Sequence, residues 1–182
     1  MKSAIHIVCG SLLLLVSATF AFAQTPAPTA ERKSNNKEAV RIYRRYEKSR
    51  NETITETRPM PIFGNILGGL DMNVSYISQG KTPTKPLSVN ITFMSSNPEH
   101  EHRRDLTVKA DGEVLHLGTM EYRKIPDSNL GFIGRLSLSL PIDAFDRIAS
   151  ARKVQMELGV EKFDLEERHL KKLFGLMNAM TR

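Results

Sequence analysis

The chain has 182 residues, of which 40% are hydrophobic, and its formal net charge is +6 with a pI of about 9.5. Its one cysteine excludes an intramolecular disulfide framework, and the length suits a single ordinary domain. The excess of positive charge favours contact with anionic surfaces, although it also aids solubility, which needs no specific partner.

Residues 1–23 have the pattern of a cleavable export signal. Lys2 supplies the positive start, an apolar run follows over residues 12–16, and Ala21 and Ala23 are the small residues that a signal peptidase reads. We expect cleavage before Gln24. A membrane anchor is the alternative, but the apolar run is short for a spanning helix and is flanked by serines.

The predicted location is the bacterial periplasm or the medium outside the cell. Cys9 would leave with the signal, and a mature chain without cysteine fits a bacterial envelope better than a eukaryotic extracellular space. This predicted location argues against nucleic acid as a partner, so the remaining candidates are an envelope protein and an anionic surface polymer. No transmembrane segment is predicted after cleavage of the signal.

Residues 24–37 are rich in Pro, Ala, Thr and Asn and are predicted to form a flexible tether to a single globular domain over residues 38–182. The start of that domain, residues 39–50, is ambiguous between helix and strand, and we favour an edge strand. Its basic side chains are interpreted as a solvated face rather than a binding patch: Arg41, Arg44, Arg45, Lys48 and Arg50.

Further strands are predicted from alternating side chains. Alternating threonines indicate a strand over residues 52–58, and residues 72–76 and 87–93 have the pattern of half-buried antiparallel strands. Between the first two of these strands, residues 62–70 combine apolar side chains with three glycines, and we expect a loop tucked over the core. The alternative is an exposed tip that touches a membrane or docks a partner protein.

The dipeptide Asp111-Gly112 predicts a two-residue hairpin turn of type I′, because both central residues of that turn need positive φ. This turn also predicts the strand register, which places two apolar pairs on one face and His116 on the other. The predicted pairs are Ala110 with Glu113, Val108 with Leu115 and Leu106 with Leu117.

The C-terminal third predicts a strand, a short helix, a second strand over residues 153–161 and a final amphipathic helix. Two pairs of acidic residues are spaced as helix caps rather than as catalytic carboxylates: Asp143 with Asp146, and Asp164 with Glu167. The final helix has one apolar stripe, formed by Leu170, Leu173, Phe174, Met177 and Met180. The chain is therefore predicted to be an α+β domain, with an antiparallel β-sheet or sandwich packed against a short helix and a C-terminal amphipathic helix.

This C-terminal pattern resembles one found in uncharacterised secreted bacterial proteins. The residues that carry the resemblance are Leu140-Pro141-Ile142, Phe145, Ile148-Ala149, Ala151, Val154, Gly159, Phe163, Leu170 and Leu173. All of them are structural positions, so the resemblance implies an exported domain and supplies no catalytic residues.

Histidines provide the one candidate constellation for chemistry. The mature chain has no cysteine nucleophile, no phosphate-binding glycine-rich loop and no Gly-x-Ser-x-Gly elbow, and no cofactor is predicted. An extended His-x-His pair at His100 and His102 would place both imidazoles on one side, as some zinc or copper sites require. A third ligand would have to come from elsewhere, and His116 and His169 are not visibly aimed at this segment. The flanking Asn-Pro and Arg-Arg dipeptides indicate a charged surface turn, so no metal site is predicted.

The sequence favours a non-enzymatic binding or scaffolding domain at the cell envelope, without naming its ligand. The export signal, the basic balance and the lack of a reaction motif support this hypothesis. A metal-dependent hydrolase that uses the loop of His100 and His102 is the alternative.

Overall fold

The structure is a computed structural model that describes residues 41–65, 68–82, 84–126 and 133–180. These residues all belong to one unit that spans residues 38–182. Their elements, in chain order, are β1 (Ile42–Glu47), β2 (Glu52–Thr57), β3 (Met60–Asn65), β4 (Gly68–Gln79), β5 (Ser88–Ser95), a 3-10 helix (Pro98–Glu101), β6 (Asp105–Ala110), β7 (Glu113–Thr119), β8 (Glu121–Lys124), β9 (Gly134–Pro141), α1 (Ile142–Ser150), β10 (Val154–Leu158), β11 (Glu161–Asp164) and α2 (Glu167–Met180).

The strands of the described residues form two antiparallel sheets. Sheet A has the order β1-β2-β4-β5-β9-β8, and β3 pairs with the first half of β4. Sheet B has the order β11-β10-β6-β7. Alternation along these strands buries one face of each sheet and leaves the other face mostly polar, with Ile77 of β4 and Val114 of β7 exposed there. The prediction of an α+β fold built on antiparallel strands is confirmed.

The buried faces of both sheets and both helices contribute to one hydrophobic cluster. Among its largest fully buried side chains are Tyr76 and Phe93 of sheet A and Phe145 of α1. Phe93 meets Phe163 of β11 edge to face, with ring centroids 6.1 Å apart, which is an arrangement that aromatic pairs prefer. The core therefore joins strands that lie far apart in the sequence.

β1 is an edge strand of sheet A, as the sequence predicts, because in the described residues it pairs only with β2. α2 lies against the buried side of this edge. The Arg44 guanidinium and the Tyr76 hydroxyl both donate to the Ala179 carbonyl, at 3.0 and 3.2 Å. The last turn of a helix leaves such carbonyls without a partner inside the helix. No helix in the described ranges is both long and apolar enough to cross a membrane.

The hairpin predicted at Asp111 is confirmed at its turn and corrected at its base. Asp111 and Gly112 have φ angles of 48° and 98°, as a type I′ turn requires. Two of the three predicted pairs form, but Leu106 pairs with Gly118 instead of Leu117. The reason is a bulge after Leu106, which adds one residue to β7 and shifts the register.

The described parts of the segment predicted as a loop, residues 62–65 and 68–70, belong to a pair of β-strands. β3 pairs with the first half of β4, and Gly64 lies opposite Gly69. A Cβ on Gly69 would lie 2.5 Å from the Phe63 carbonyl oxygen, so only glycine permits this close approach. These glycines allow close strand packing, whereas in the sequence they indicate a loop.

The strand predicted over residues 153–161 is also corrected, because the chain forms two strands there. β10 ends at Leu158, and the chain turns at Gly159 and Val160 into β11. Gly159 has a φ angle of 60°, and Val160 is 43% exposed instead of continuing the buried alternation. The short β8 is not predicted by the sequence pattern.

Neither predicted helix cap lies at the start of its helix. α1 begins at Ile142, so Asp143 lies inside the first turn, and Pro141 holds the cap position without a side-chain hydrogen bond. α2 begins at Glu167, whereas Asp164 is the last residue of β11. Acidic residues also favour the first turn itself, through the helix dipole, so their spacing alone does not identify the cap.

α2 buries a face that is rotated from the predicted stripe. Leu173 and Met180 are buried as predicted, but Leu176 and His169 are buried in place of Phe174, which is 48% exposed. These four buried positions have helical spacing, and one of them is polar. The predicted stripe was wrong because it was based on apolar residues alone, and such a pattern assigns a histidine to the solvent-exposed side of a helix.

His169 should make the stability of the fold depend on pH. The side chain is 1% exposed, and Nδ1 accepts the Glu166 N–H at 3.2 Å at the start of α2. Burial, reinforced by the charge of Arg168, lowers the pKa of this ring from its ordinary value of 6.5. As the pH falls below about 6.5, the unfolded chain takes up a proton that the folded chain resists, so stability should decrease by up to about 1.4 kcal/mol per pH unit.

Urea unfolding at a series of pH values measures this effect. The variant His169→Gln keeps a hydrogen-bond acceptor but does not titrate, so its stability should fall less steeply below pH 6.5. Equal slopes for the two proteins would contradict the role given to His169.

Candidate functional site

The segment Pro98–Glu101 is a 3-10 helix that carries a buried histidine, rather than the extended or charged surface turn that the sequence predicts. Asn97 caps it by accepting the Glu99 N–H at 3.0 Å. His100 is fully buried, whereas His102 is exposed at the C-terminal end. With three residues per turn, residues i and i+2 of such a helix do not face the same side. The two imidazoles are therefore separated.

Polar side chains from three parts of the chain meet at His100. The Ser95 hydroxyl lies 2.6 Å from Nδ1, and Oε2 of Glu161 lies 3.4 Å from Nε2. Asn97 donates through Nδ2 to Oε1 of Glu161 at 2.8 Å, and its own N–H donates to the Ser95 oxygen at 3.0 Å. Because the Ser95 oxygen accepts the Asn97 N–H, its hydroxyl is directed at Nδ1, whereas Nε2 faces Oε2 of Glu161 without a hydrogen bond between them.

A cavity of about 220 Å³ opens beside this network and is lined in part by Ser95, Asn97 and Glu161. A serine, a histidine and a carboxylate that face one another in this order suggest acyl transfer. However, Ser95 is 1% exposed, and the neighbouring N–H groups are already bonded, that of Ser96 to the Gly69 carbonyl and that of Asn97 to Ser95. Neither can stabilise an oxyanion. The arrangement fastens the 3-10 helix to β11 rather than activating a nucleophile.

The structure does not bring together the histidines that were considered as metal ligands. Both ring nitrogens of His100 face protein groups, and His102 points elsewhere. His116 lies on the exposed face of sheet B beside Thr107, as predicted, and His169 is buried on the inner face of α2. Across the described ranges, no group of three or more His, Cys, Asp or Glu side chains could hold a metal ion.

The polar face of sheet A, which points away from the core, provides a second candidate site at its β1 edge. Tyr43 lies opposite Glu56 on this face, and Arg45 follows on the same side of β1. The guanidinium carbon of Arg58 lies 5.0 Å from the centre of the Tyr43 ring. Arg41 directly precedes β1 and lies two residues before Tyr43, so the alternation of the strand places it on the same side. Together, Arg41, Tyr43, Arg45 and Arg58 form what we name the arginine–tyrosine patch.

The patch is exposed and keeps its positive charge. Arg41, Arg45 and Arg58 are exposed and make no salt bridge within the part of the chain that the structure describes. Elsewhere on the surface, Arg147 and Arg168 are neutralised by glutamates at 2.7 and 2.9 Å. The sequence favours a solvated face here, but it does not show that strand pairing adds Arg58 to the arginines of β1.

Next to the patch, the same face of sheet A carries small uncharged polar side chains on three central strands. Ser75 of β4 lies opposite Asn90 of β5, which lies opposite Ser139 of β9. In the next row, Thr92 of β5 lies opposite Ser137 of β9. We name these five residues the small-polar grid. Sequence reasoning missed the grid, because only the strand order places its members side by side.

Comparison of the chain with models of protein families, with curated proteins and with solved structures found no match.

Proposed function

We propose that this protein is an exported, non-enzymatic binding domain that holds an anionic polymer of the cell envelope on the arginine–tyrosine patch. The observation that carries the proposal is the set of three exposed arginines without salt bridges around Tyr43. Guanidinium groups bind carboxylate and phosphate groups through paired hydrogen bonds, and they keep their charge at any physiological pH.

The energetics favour a polymer over a small anion. An exposed ion pair contributes about 0 to 1 kcal/mol, so one contact with a small anion gives little affinity. A ligand that carries many charges can engage Arg41, Arg45 and Arg58 together, and these contributions then combine. Glu56 beside Tyr43 adds a repulsive element that disfavours uniformly packed negative charge.

The predicted export signal supports an envelope polymer rather than nucleic acid, because the exported protein would not meet nucleic acid under ordinary conditions. An acidic protein of the envelope is the partner that this surface fits next best. The alternative function, a metal-dependent hydrolase that uses His100 and His102, has less support, since the two rings lie apart and His100 already bonds Ser95.

Neutralising the patch should weaken binding to an acidic polymer. We expect the triple variant R41Q/R45Q/R58Q to lose about tenfold in affinity, because it removes up to three ionic contacts of about 0.5 kcal/mol each, the middle of the range for an exposed ion pair. Titration of the purified protein with lipopolysaccharide or polygalacturonate, at low and at physiological ionic strength, measures this loss. Added salt should weaken polymer binding by the unmodified protein more than binding by the variant.

The matched control is K109Q/K162Q/K171Q, which removes the same charge from exposed positions of sheet B and α2. This control should retain nearly all of the affinity. If both variants lost affinity equally, binding would follow net charge alone, and the proposed role of the patch would be wrong.

A further inference from the structure

We propose that the small-polar grid recognises sugar hydroxyls, so that the anionic polymer held by the arginine–tyrosine patch is an acidic polysaccharide. This inference rests on the proposed function, because the grid and the patch share one face of sheet A. Strand pairing aligns Tyr43, Glu56, Ser75, Asn90 and Ser139 in one row across five neighbouring strands. At about 4.8 Å between strands, this row is roughly 19 Å long, which suits an extended chain.

The composition of the grid is unusual for the middle of a sheet. Asparagine and, less strongly, serine are poor strand formers, whereas valine, isoleucine and threonine fit a half-buried pleated surface. Sheet A nevertheless places Asn90 between Ser75 and Ser139 on its central strands. Departures from local preference are expected at functional or strained sites, so this departure is one reason to consider the grid as a functional surface.

Thr92 provides an independent observation that points to a ligand. It is 7% exposed, and its side chain lies on the grid face opposite Ser137. Its hydroxyl makes no hydrogen bond within the described part of the chain. This hydroxyl is not among the fully buried polar atoms that lack a partner, so it reaches the surface of the grid face, where a ligand can bond to it. Neighbouring Asn73 differs, because its amide donates to the Thr57 carbonyl at 2.6 Å and so has a structural role.

The chemistry of the grid and of the patch together matches a sugar acid. Hydroxyl and amide side chains both donate and accept hydrogen bonds, as neutral sugar hydroxyls do. The arginines at one end would bind the carboxylates, and the exposed ring of Tyr43 offers an apolar face to a sugar ring. An acidic polypeptide or a phospholipid surface would use the arginines but would leave the grid without partners.

The test compares two polycarboxylates that differ in hydroxyl groups, polygalacturonate and polyglutamate of matched length. We expect the full-length protein to bind polygalacturonate about tenfold more tightly. The variant N90V/T92V should lose that preference while keeping its affinity for polyglutamate. Valine is a better strand former than asparagine, so thermal unfolding should show an intact fold. The control T107V/Q155V makes similar changes on the exposed face of sheet B and should bind as the unmodified protein does.

Equal affinity of the unmodified protein for the two polymers would overturn the inference and would point to an acidic protein as the partner. Full retention of the preference by N90V/T92V would also overturn it. If that variant failed to fold, the milder S75A/S139A would test the same row. Failure of the proposed function is distinguishable, because R41Q/R45Q/R58Q would then have no effect on either polymer.

Discussion

Replacing Gly159 by alanine should destabilise the protein by about 3 to 5 kcal/mol, a large part of the roughly 5 to 15 kcal/mol that keeps a domain folded. Gly159 has a φ angle of 60°, in the left-handed region that costs other residues about 1 to 2 kcal/mol. A Cβ there would also collide with the Arg103 carbonyl oxygen and would lie 2.9 Å from the carbonyl carbon. Because these are backbone atoms, no side-chain rotation can relieve the collision.

Gly159 matters because the turn that it forms between β10 and β11 packs against the segment that follows His100. The Gly159 N–H donates to the Asp105 carbonyl at 2.9 Å, and Glu161 follows after the turn to face His100. A shift of the turn would therefore disturb both contacts.

Gly112→Ala is the matched control for Gly159→Ala. Gly112 has a φ angle of 98°, but nothing lies within 4 Å of its Cβ position, so only the conformational cost of about 1 to 2 kcal/mol should appear. Urea unfolding of both variants measures the difference. Equal losses would mean that the turn does not pack closely against Arg103.

His100→Ala should destabilise the protein by about 2 to 4 kcal/mol. The substitution leaves a cavity in a fully buried position and removes the hydrogen-bond partner of the Ser95 hydroxyl. It also leaves Glu161, whose side chain is 23% exposed, without the ring that faces it at 3.4 Å. Urea unfolding with unchanged cooperativity would measure the loss.

His102→Ala is the control, since His102 is exposed and such surface changes usually alter stability by less than about 0.5 kcal/mol. The two variants also separate the structural role of His100 from the alternative of a metal site. If both substitutions left stability unchanged and each removed a stoichiometric transition metal from the purified protein, the fastening role of His100 would be wrong.

The candidate surfaces could be predicted from the sequence only in part. Arg41, Tyr43 and Arg45 alternate along one strand, so their common face follows from the two-residue period. Arg58 joins them only because β1 and β2 pair with Thr57 opposite Ile42. For this reason the sequence indicates a solvated basic strand, whereas the structure adds Arg58, which lies over the Tyr43 ring, to the same face.

The small-polar grid depends still more on tertiary structure. Its polar residues are visible in the sequence as the outward positions of apolar strands. Their arrangement in rows requires β9 to lie beside β5. In the sequence, however, β6, β7 and β8 separate these two strands, and α1 directly follows β9. No local pattern specifies which of these elements becomes the neighbour.

The sequence by itself determined the features that depend on neighbouring residues: the alternation that makes antiparallel strands, the Asp111-Gly112 turn, and β1 as a strand. Tertiary structure alone decided that His100 is buried, that Phe174 is exposed, and that Gly69 lies in a strand pair. The physical reason is that backbone preference and side-chain period act over a few residues, whereas burial, strand order and close backbone approach depend on contacts between distant parts of the chain.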